Sequence, residues 1–237
     1  AWWTAFHKNK ELYIILFKNK DKLIGIAPFY LCKIHPKKSI LRFMGYPLSD
    51  YCDIIYDKRS PEIIYACMTF LKKHKHDWHI LELNHIPEHS STLDPLLAGC
   101  RSNGLHPLKL SADHCSALQL KENIRQINNI INKKSMRNKR NYYIKKDGFS
   151  ILHHQNKEDI YKYLETFYQY HIDRYIMSRT PSHFQDSRFR TFYEVLLEKC
   201  CEKKWILFSV LQSENTPHAF FINYIIYLSY IFFELKC

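Results

Sequence analysis

The sequence predicts an α/β protein in which two related units follow one another along the chain. Two observations lead to this prediction. Short runs rich in Ile, Leu, Tyr and Phe, which are typical of strands, alternate with longer segments whose apolar residues recur at helical spacing. In addition, the second half reads strand, helix, helix, strand, strand, strand, and the first half reads like a later part of the same series.

The composition is that of an ordinary globular protein. The 237 residues are 46% hydrophobic and 24% charged, which excludes a disordered or collagen-like chain. The net charge is +12, but Lys, Asn, Ile, Tyr and Phe are over-used together, so an AT-rich genome explains this excess as well as a polyanionic partner does. The eight Cys fit neither a zinc site nor a disulfide scaffold, and no signal peptide is seen. We therefore expect reduced thiols in a cytoplasmic protein.

The first half begins at the end of a helix, in residues 1–6, and continues mainly in strands. Residues 12–17 and 23–31 predict a hairpin around the polar loop 18–22, and residues 41–44 and 51–56 predict an extended segment with a turn at 45–47. A helix follows, with Ser60 as N-cap and Pro61 in its first turn. Its apolar face consists of Ile63, Ile64, Cys67, Met68 and Leu71. A strand at 79–83, a helix at 92–103 ended by Gly104, and strands at 105–110 and 116–120 complete this half.

The second half opens on a basic segment, 121–146, which reads as one helix crossing between the units. A strand at 149–154, helices at 157–177 and 186–203, and strands at 206–212, 218–227 and 229–235 follow. The apolar run 219–235 has 17 residues, at the short limit for crossing a bilayer. Because it contains Asn223 and Ser229 and is rich in Ile, Tyr and Phe, we predict two buried strands and no stable membrane span.

Overlaying the two halves gives the order β-α-α-β-β-β-α-β-α-β-β, which is that of a GNAT acyltransferase domain. We therefore predict three regions. Residues 1–120 form an N-terminal GNAT-like unit that lacks its first strand and helix, 121–148 form a basic connecting helix, and 149–237 form the start of a second, incomplete GNAT unit. The two units are expected to form separate sheets.

Several short motifs are spread over nearly the whole chain. They are LIGIAP at 23–28, LRFMG at 41–45, SDYCD at 49–53, KSMRNKR at 134–140, KDG at 146–148, HIDRY at 171–175, and then Phe184 and Phe192. Their order and spacing resemble the CelD-like acetyltransferases, tandem-GNAT proteins linked to bacterial exopolysaccharide and cellulose synthesis. The resemblance implies N- or O-acetylation of a small-molecule or glycan acceptor from acetyl-CoA, and association with envelope-biosynthesis enzymes.

The chain also departs from this family. Members usually continue well past the position of Cys237, so we expect a truncated C-terminus, an acetyl-CoA site in the missing part, and no activity from this fragment alone. In the first unit, residues 56–62 (YDKRSPE) contain no glycine. A backbone cradle for a pyrophosphate normally needs glycines for close approach. The first unit is therefore not expected to bind coenzyme A in the usual way.

Two residues on the first helix of the second unit form the main candidate site. In acyl transfer from a thioester, the attacking amine or hydroxyl loses a proton, so a positioned base helps, but no protein nucleophile is required. His171 and Arg174 lie three residues apart on the predicted helix and so share a face. Together with the resemblance, this predicts His171 as the catalytic residue and Arg174 as an anchor for an anionic substrate. The alternative is an ordinary solvated helix face.

A second candidate lies in the first unit, where Asp50 and Tyr51 follow the turn at 45–47. A loop there is a plausible wall of an acceptor pocket, and both are candidate substrate-binding residues. In the simpler alternative, which we favour, Asp50 caps the turn and Tyr51 packs in the core.

The third candidate is a basic patch made of Lys134, Arg137, Lys139 and Arg140. With Tyr142 and Tyr143 as stacking surfaces, it could hold RNA, a phosphorylated sugar donor or an anionic glycan. A solvated helix face is the simpler explanation, and the Lys-rich composition disfavours nucleic acid as a partner.

Two further groups have little support. His74, His76 and His79 resemble a metal cluster, but Lys72, Lys73 and Lys75 surround them with positive charge, so no metal is expected. Cys115 lies beside His114, but adjacency in sequence is not the geometry of a nucleophile and its base.

Three functions remain open at this point. The resemblance favours an acetyltransferase. An aminoacyl-tRNA-dependent peptidyltransferase of the FemX kind is similar in its paired units and would use the basic patch for tRNA. A non-catalytic RNA- or glycan-binding module is the third. Cofactor binding would separate the first from the others, and salt-dependent tRNA binding would separate the second from the first.

Overall fold

The computed structural model describes residues 1–36, 38–111, 114, 123–145, 148–176, 180–226 and 229–233. The chain divides into two compact units, one formed mainly by residues before Ser116 and one by the residues after it. Each has its own sheet, as predicted, and each also has its own apolar core. The architecture is mixed α/β. The predicted boundary at residue 120 lies outside the described residues.

The N-terminal unit is a five-stranded sheet with helices. The chain begins with α1 (Trp2–Phe6). The elements of the N-terminal unit that follow are β1 (Lys10–Asn19), β2 (Lys22–His35), β3 (Lys38–Phe43), β4 (Ile55–Tyr56), α2 (Glu62–Lys73), β5 (Ile80–Glu82) and α3 (Leu93–Ser102). The strand order is β1-β2-β3-β5, and β4 pairs with β2. Among the strand pairs in the described part of this sheet, β3–β5 is parallel and the others are antiparallel. The predicted apolar face of α2 is buried in the core.

Several local predictions in this unit need correction. The first hairpin turns through Lys20 and Asp21 alone, because Asn19 pairs with Lys22 and Lys20 adopts a positive φ of 53°. The N-cap of α2 is Pro61 and not Ser60, and no side chain donates or accepts a capping hydrogen bond there. Residues 105–110 form no strand. Pro107 lacks an amide donor there, and Leu108 is 80% exposed.

The predicted strand at 51–56 is reduced to β4. The amide of Cys52 donates to the carbonyl of His85, and the amide of Ile54 donates to the Asp53 side chain. Such local hydrogen bonds take amides that a strand would use in its ladder. The segment is consequently a loop until Ile55, where pairing with Ile26 begins.

The C-terminal unit consists of α4 (Ile124–Ile131), α5 (Lys134–Lys145), β6 (Phe149–His154), α6 (Lys157–Ile176), a short 3-10 helix (His183–Gln185), α7 (Ser187–Glu202), β7 (Ile206–Ser213), β8 (Thr216–Ile226) and β9 (Ser229–Phe233). Its antiparallel sheet has the order β6-β7-β8-β9. The apolar run predicted as two strands is β8 and β9. In the part of the chain that the structure describes, no helix is long and apolar enough to cross a membrane.

The single helix predicted at 121–146 is two helices. Asn132 ends α4, and its side-chain amide and its backbone amide both donate to the carbonyl of Asn128. Asparagine favours such capping positions because its side chain competes with the backbone for hydrogen bonds. A new helix then starts at Lys134.

Candidate functional site

His171 lies on the buried face of α6. The other buried residues of this helix are Ile160, Leu164, Phe167 and Tyr168. Counting from Ile160, they follow at four, seven and eight residues, and His171 continues the same stripe at eleven. Because of this helical spacing, His171 faces the aromatic core, and only 4% of it is exposed. The solvated-face alternative is therefore wrong for His171.

The imidazole of His171 is held on several sides. Its Nδ1 lies 2.8 Å from the hydroxyl oxygen of Ser182. The Tyr175 ring stacks on it at a centroid distance of 4.6 Å and an interplanar angle of 10°. Phe184 meets it edge-on at 4.9 Å. These contacts fix the orientation of the ring.

Burial lowers the pKa of His171, and the nearby side chains of His183 and Arg174 lower it further. A lowered pKa means that the neutral imidazole persists to a more acidic pH than in an ordinary histidine. His171 is therefore neutral at pH 7 and retains a nitrogen lone pair, as a general base requires.

Ser182 was not identified from the sequence. It is 4% exposed and caps the 3-10 helix, with its hydroxyl oxygen accepting the amide of Phe184 at 3.2 Å. The signal was present in part, since a serine directly after Pro181 is a common helix start. Its contact with His171 depends on the chain returning from α6, and local sequence does not reveal that return.

Arg174 follows His171 by one helical turn but is exposed. The predicted pair therefore combines a buried neutral ring with a cationic group that reaches solvent. Because the charge of Arg174 contributes to the low pKa of His171, the two groups are electrostatically coupled. A cation in this position can hold an anionic substrate near the ring.

Asp50 and Tyr51 belong to the N-terminal unit and are both exposed. Tyr51 is 51% exposed, so the alternative that packs it in the core is wrong. The loop that carries them is held to the one after β5, where the His85 ring contacts the carbonyl of Ser49 at 2.8 Å. This proximity arises because β3 and β5 are parallel and both end at the same edge of the sheet.

The basic patch lies on α5. Lys134, Arg137, Lys139 and Arg140 are all exposed. None of them joins an ion pair in the described part of the chain. The patch is therefore a surface with uncompensated positive charge.

The three clustered histidines of the N-terminal unit have separate partners. His74 stacks on Phe70 with a centroid distance of 4.0 Å, and Nε2 of His76 lies 3.1 Å from the Asp77 carboxylate. Nδ1 of His79 accepts the amide of Ser39 at 3.3 Å. Within the described ranges, no group of three or more His, Cys, Asp or Glu is arranged to hold a metal ion. Cys115 lies outside the described residues.

The loop before α2 does not fit a pyrophosphate. Asp57 accepts both the backbone amide of Arg59, at 3.1 Å, and its guanidinium, at 2.6 Å. These hydrogen bonds from Arg59 hold the pKa of Asp57 at about 2. The amide that a bound phosphate would need already donates to the Asp57 carboxylate, and the negative charge of this carboxylate would repel the phosphate.

The comparisons with known proteins bear on the C-terminal unit. An acetyltransferase (GNAT) domain is found at residues 132–232, which span α5 to β9 and include His171, Arg174 and Ser182. A comparison with curated proteins gives no match.

Proposed function

We propose that this protein transfers an acetyl group from acetyl-CoA to a sugar or amine acceptor of cell-envelope polysaccharide biosynthesis. The GNAT domain at residues 132–232 is the observation that carries the acyl-transfer part of this proposal. The envelope acceptor, a tandem arrangement with residues 1–120 and a CelD-like specificity rest on the resemblance of the sequence motifs. Acetyl-CoA, typical of GNAT domains, would supply an acyl group activated as a thioester.

In this proposal, His171 is the general base. Nδ1 carries the ring proton and donates a hydrogen bond to the hydroxyl oxygen of Ser182. This oxygen has two lone pairs, so it can also accept a hydrogen bond from the amide of Phe184. This leaves Nε2 with a free lone pair. As the acceptor amine or hydroxyl attacks the acyl carbon, its proton would pass to Nε2. The C–S bond of the thioester would then break, and coenzyme A would leave as the thiol once its sulfur takes up that proton. Tyr175 and Phe184 keep the ring in place and exclude water around it.

Arg174 supplies the positive charge that holds an anionic acceptor. A guanidinium forms charge-assisted hydrogen bonds with carboxylates and phosphates, so the proposed acceptor carries one of these groups. Asp50 and Tyr51 are proposed as substrate-binding residues of the N-terminal unit, since both side chains are exposed on a loop held at the edge of its sheet. The loop at Asp57 is not proposed to hold the acetyl-CoA pyrophosphate, because the Asp57 carboxylate already accepts the amide of Arg59.

The proposed activity is tested with the natural full-length protein. We expect saturable acetyl-CoA binding by calorimetry, and release of the coenzyme A thiol only when an acceptor is added. Neutral amino sugars, anionic amino sugars and simple amines serve as the acceptor panel, and mass spectrometry identifies the acetylated atom. Absence of both cofactor binding and acceptor-dependent thiol release would contradict the proposal.

Replacing Arg174 with alanine should raise the KM for an anionic acceptor about 10- to 100-fold, because a hydrogen bond to a charged group contributes roughly 1.5–3 kcal/mol. The KM for a neutral acceptor should stay unchanged. Arg101→Ala, which removes an exposed arginine from α3, is the matched control. Equal effects of Arg174→Ala on charged and neutral acceptors would show that Arg174 does not bind the acceptor's charge.

A further inference from the structure

Helix α4 exposes a stripe of isoleucines. Ile124, Ile130 and Ile131 are 61%, 46% and 46% exposed, and Ile127 is half-buried. At 100° per residue these four side chains fall within about one third of the helix circumference, and Arg125, Gln126, Asn128 and Asn129 occupy the rest. An eight-residue helix with a fully aliphatic face turned partly to solvent is unusual for a surface with no partner.

The next helix has the opposite character. From Asn123 to Lys145 the sequence contains seven Lys and Arg and no Asp or Glu. The patch residues Lys134, Arg137, Lys139 and Arg140 are exposed, and none is neutralised by an ion pair within the described ranges. Tyr142 and Tyr143 are 56% and 43% exposed on the same helix.

We propose that α4 and α5 together form a surface that binds the headgroup region of an anionic lipid bilayer. The isoleucines would enter the boundary between headgroups and acyl chains, and the basic side chains would pair with lipid phosphates. Tyrosine favours the same boundary, because its ring is apolar and its hydroxyl is polar. This proposal is independent of acyl transfer by the C-terminal unit.

The isoleucine stripe decides between a bilayer and a nucleic acid. A polyphosphate backbone would engage the cations and could stack on the tyrosines, but it offers nothing that would cover four aliphatic side chains. A bilayer accounts for both helices with one partner. It needs no spanning segment, because an amphipathic helix of this kind lies in the plane of the interface.

The test is sedimentation of the purified full chain with vesicles. We expect binding to vesicles of equal parts phosphatidylcholine and phosphatidylglycerol, weaker binding at high salt, and little binding to phosphatidylcholine alone. The triple variant Lys134→Gln, Arg137→Gln, Arg140→Gln should weaken binding about 100-fold, since each basic residue near an anionic surface contributes about 1 kcal/mol. The double variant Ile124→Ser, Ile131→Ser should weaken it about 10-fold.

Matched controls come from the N-terminal unit. Lys18→Gln, Lys20→Gln, Lys22→Gln removes the same charge from an exposed hairpin, and Ile34→Ser, Ile55→Ser removes two exposed isoleucines. All these side chains are exposed, so each variant should keep its circular dichroism spectrum. Neither control should weaken vesicle binding.

Two outcomes would overturn the proposal. Vesicle binding that is insensitive to the Ile124 and Ile131 variant would mean that the isoleucines do not enter the bilayer. Binding to a single-stranded RNA oligonucleotide without binding to anionic vesicles would assign α5 to nucleic acid and support the aminoacyl-tRNA alternative. Loss of vesicle binding in both α4 and α5 variants, with RNA binding absent, would support a lipid surface.

Discussion

Replacing His171 with alanine in the full-length protein should lower kcat about 10²- to 10⁴-fold, the range that general-base catalysis contributes. The wild-type protein should lose activity as pH falls through the pKa of His171, because the protonated ring cannot accept a proton. Burial and the neighbouring His183 and Arg174 lower this pKa, so the acid limb should lie below the ordinary histidine value. In His171→Ala that limb should disappear from the profile of kcat/KM.

The controls separate catalysis from folding. His153 also faces a serine hydroxyl, with its Nδ1 2.8 Å from Ser209, so His153→Ala removes a similar pair that the proposal does not use. His171→Gln retains a side-chain amide near Ser182 and reports on packing. If His171→Ala and His171→Gln both fold and keep the wild-type rate and acid limb, His171 is a structural residue and the base lies elsewhere.

Phe167→Ala should destabilise the C-terminal unit by about 3–5 kcal/mol, the usual cost of deleting a buried phenyl ring. Phe167 is 0% exposed, and its ring centroid lies 5.3 Å from Phe184, 5.9 Å from Phe220 and 6.2 Å from Phe208. It therefore joins α6 to the sheet and to the segment that carries Ser182. Urea unfolding followed by circular dichroism measures the loss.

Phe221→Ala is the matched control for this substitution. Phe221 is the neighbour of Phe220 on β8 but points to the other face and is 41% exposed. Its replacement should cost less than about 1 kcal/mol. Similar costs for the two variants would show that the aromatic cluster around Phe167 is not the centre of the core.

The candidate site was only partly accessible to sequence reasoning. Helical spacing and motif resemblance identified His171 and Arg174, and the structure places them one turn apart on α6. The roles of these residues, and those of Asp50 and Tyr51, stay predictions. Ser182 was not identified, because its bond to His171 joins residues eleven positions apart in the sequence. Exposure of Tyr51 was also missed, since an aromatic residue in an apolar context is usually assigned to the core.

From β6 onward, the strands and the two long helices of the C-terminal unit follow from local sequence. Buried apolar residues at alternate positions, Ile206, Phe208 and Val210, specify β7, and the Asp186 side chain, which accepts the amide of Arg188, marks the start of α7. Strand periodicity and helix capping depend on residues that are close in the sequence, so both can be predicted from the sequence without the tertiary structure. The burial of a side chain also depends on residues that are distant in the sequence and pack against it in the folded chain. The sequence determined that His171 lies on an apolar helical stripe, but only the tertiary structure decided that Ser182 and Phe184 close over it and remove its ring from water.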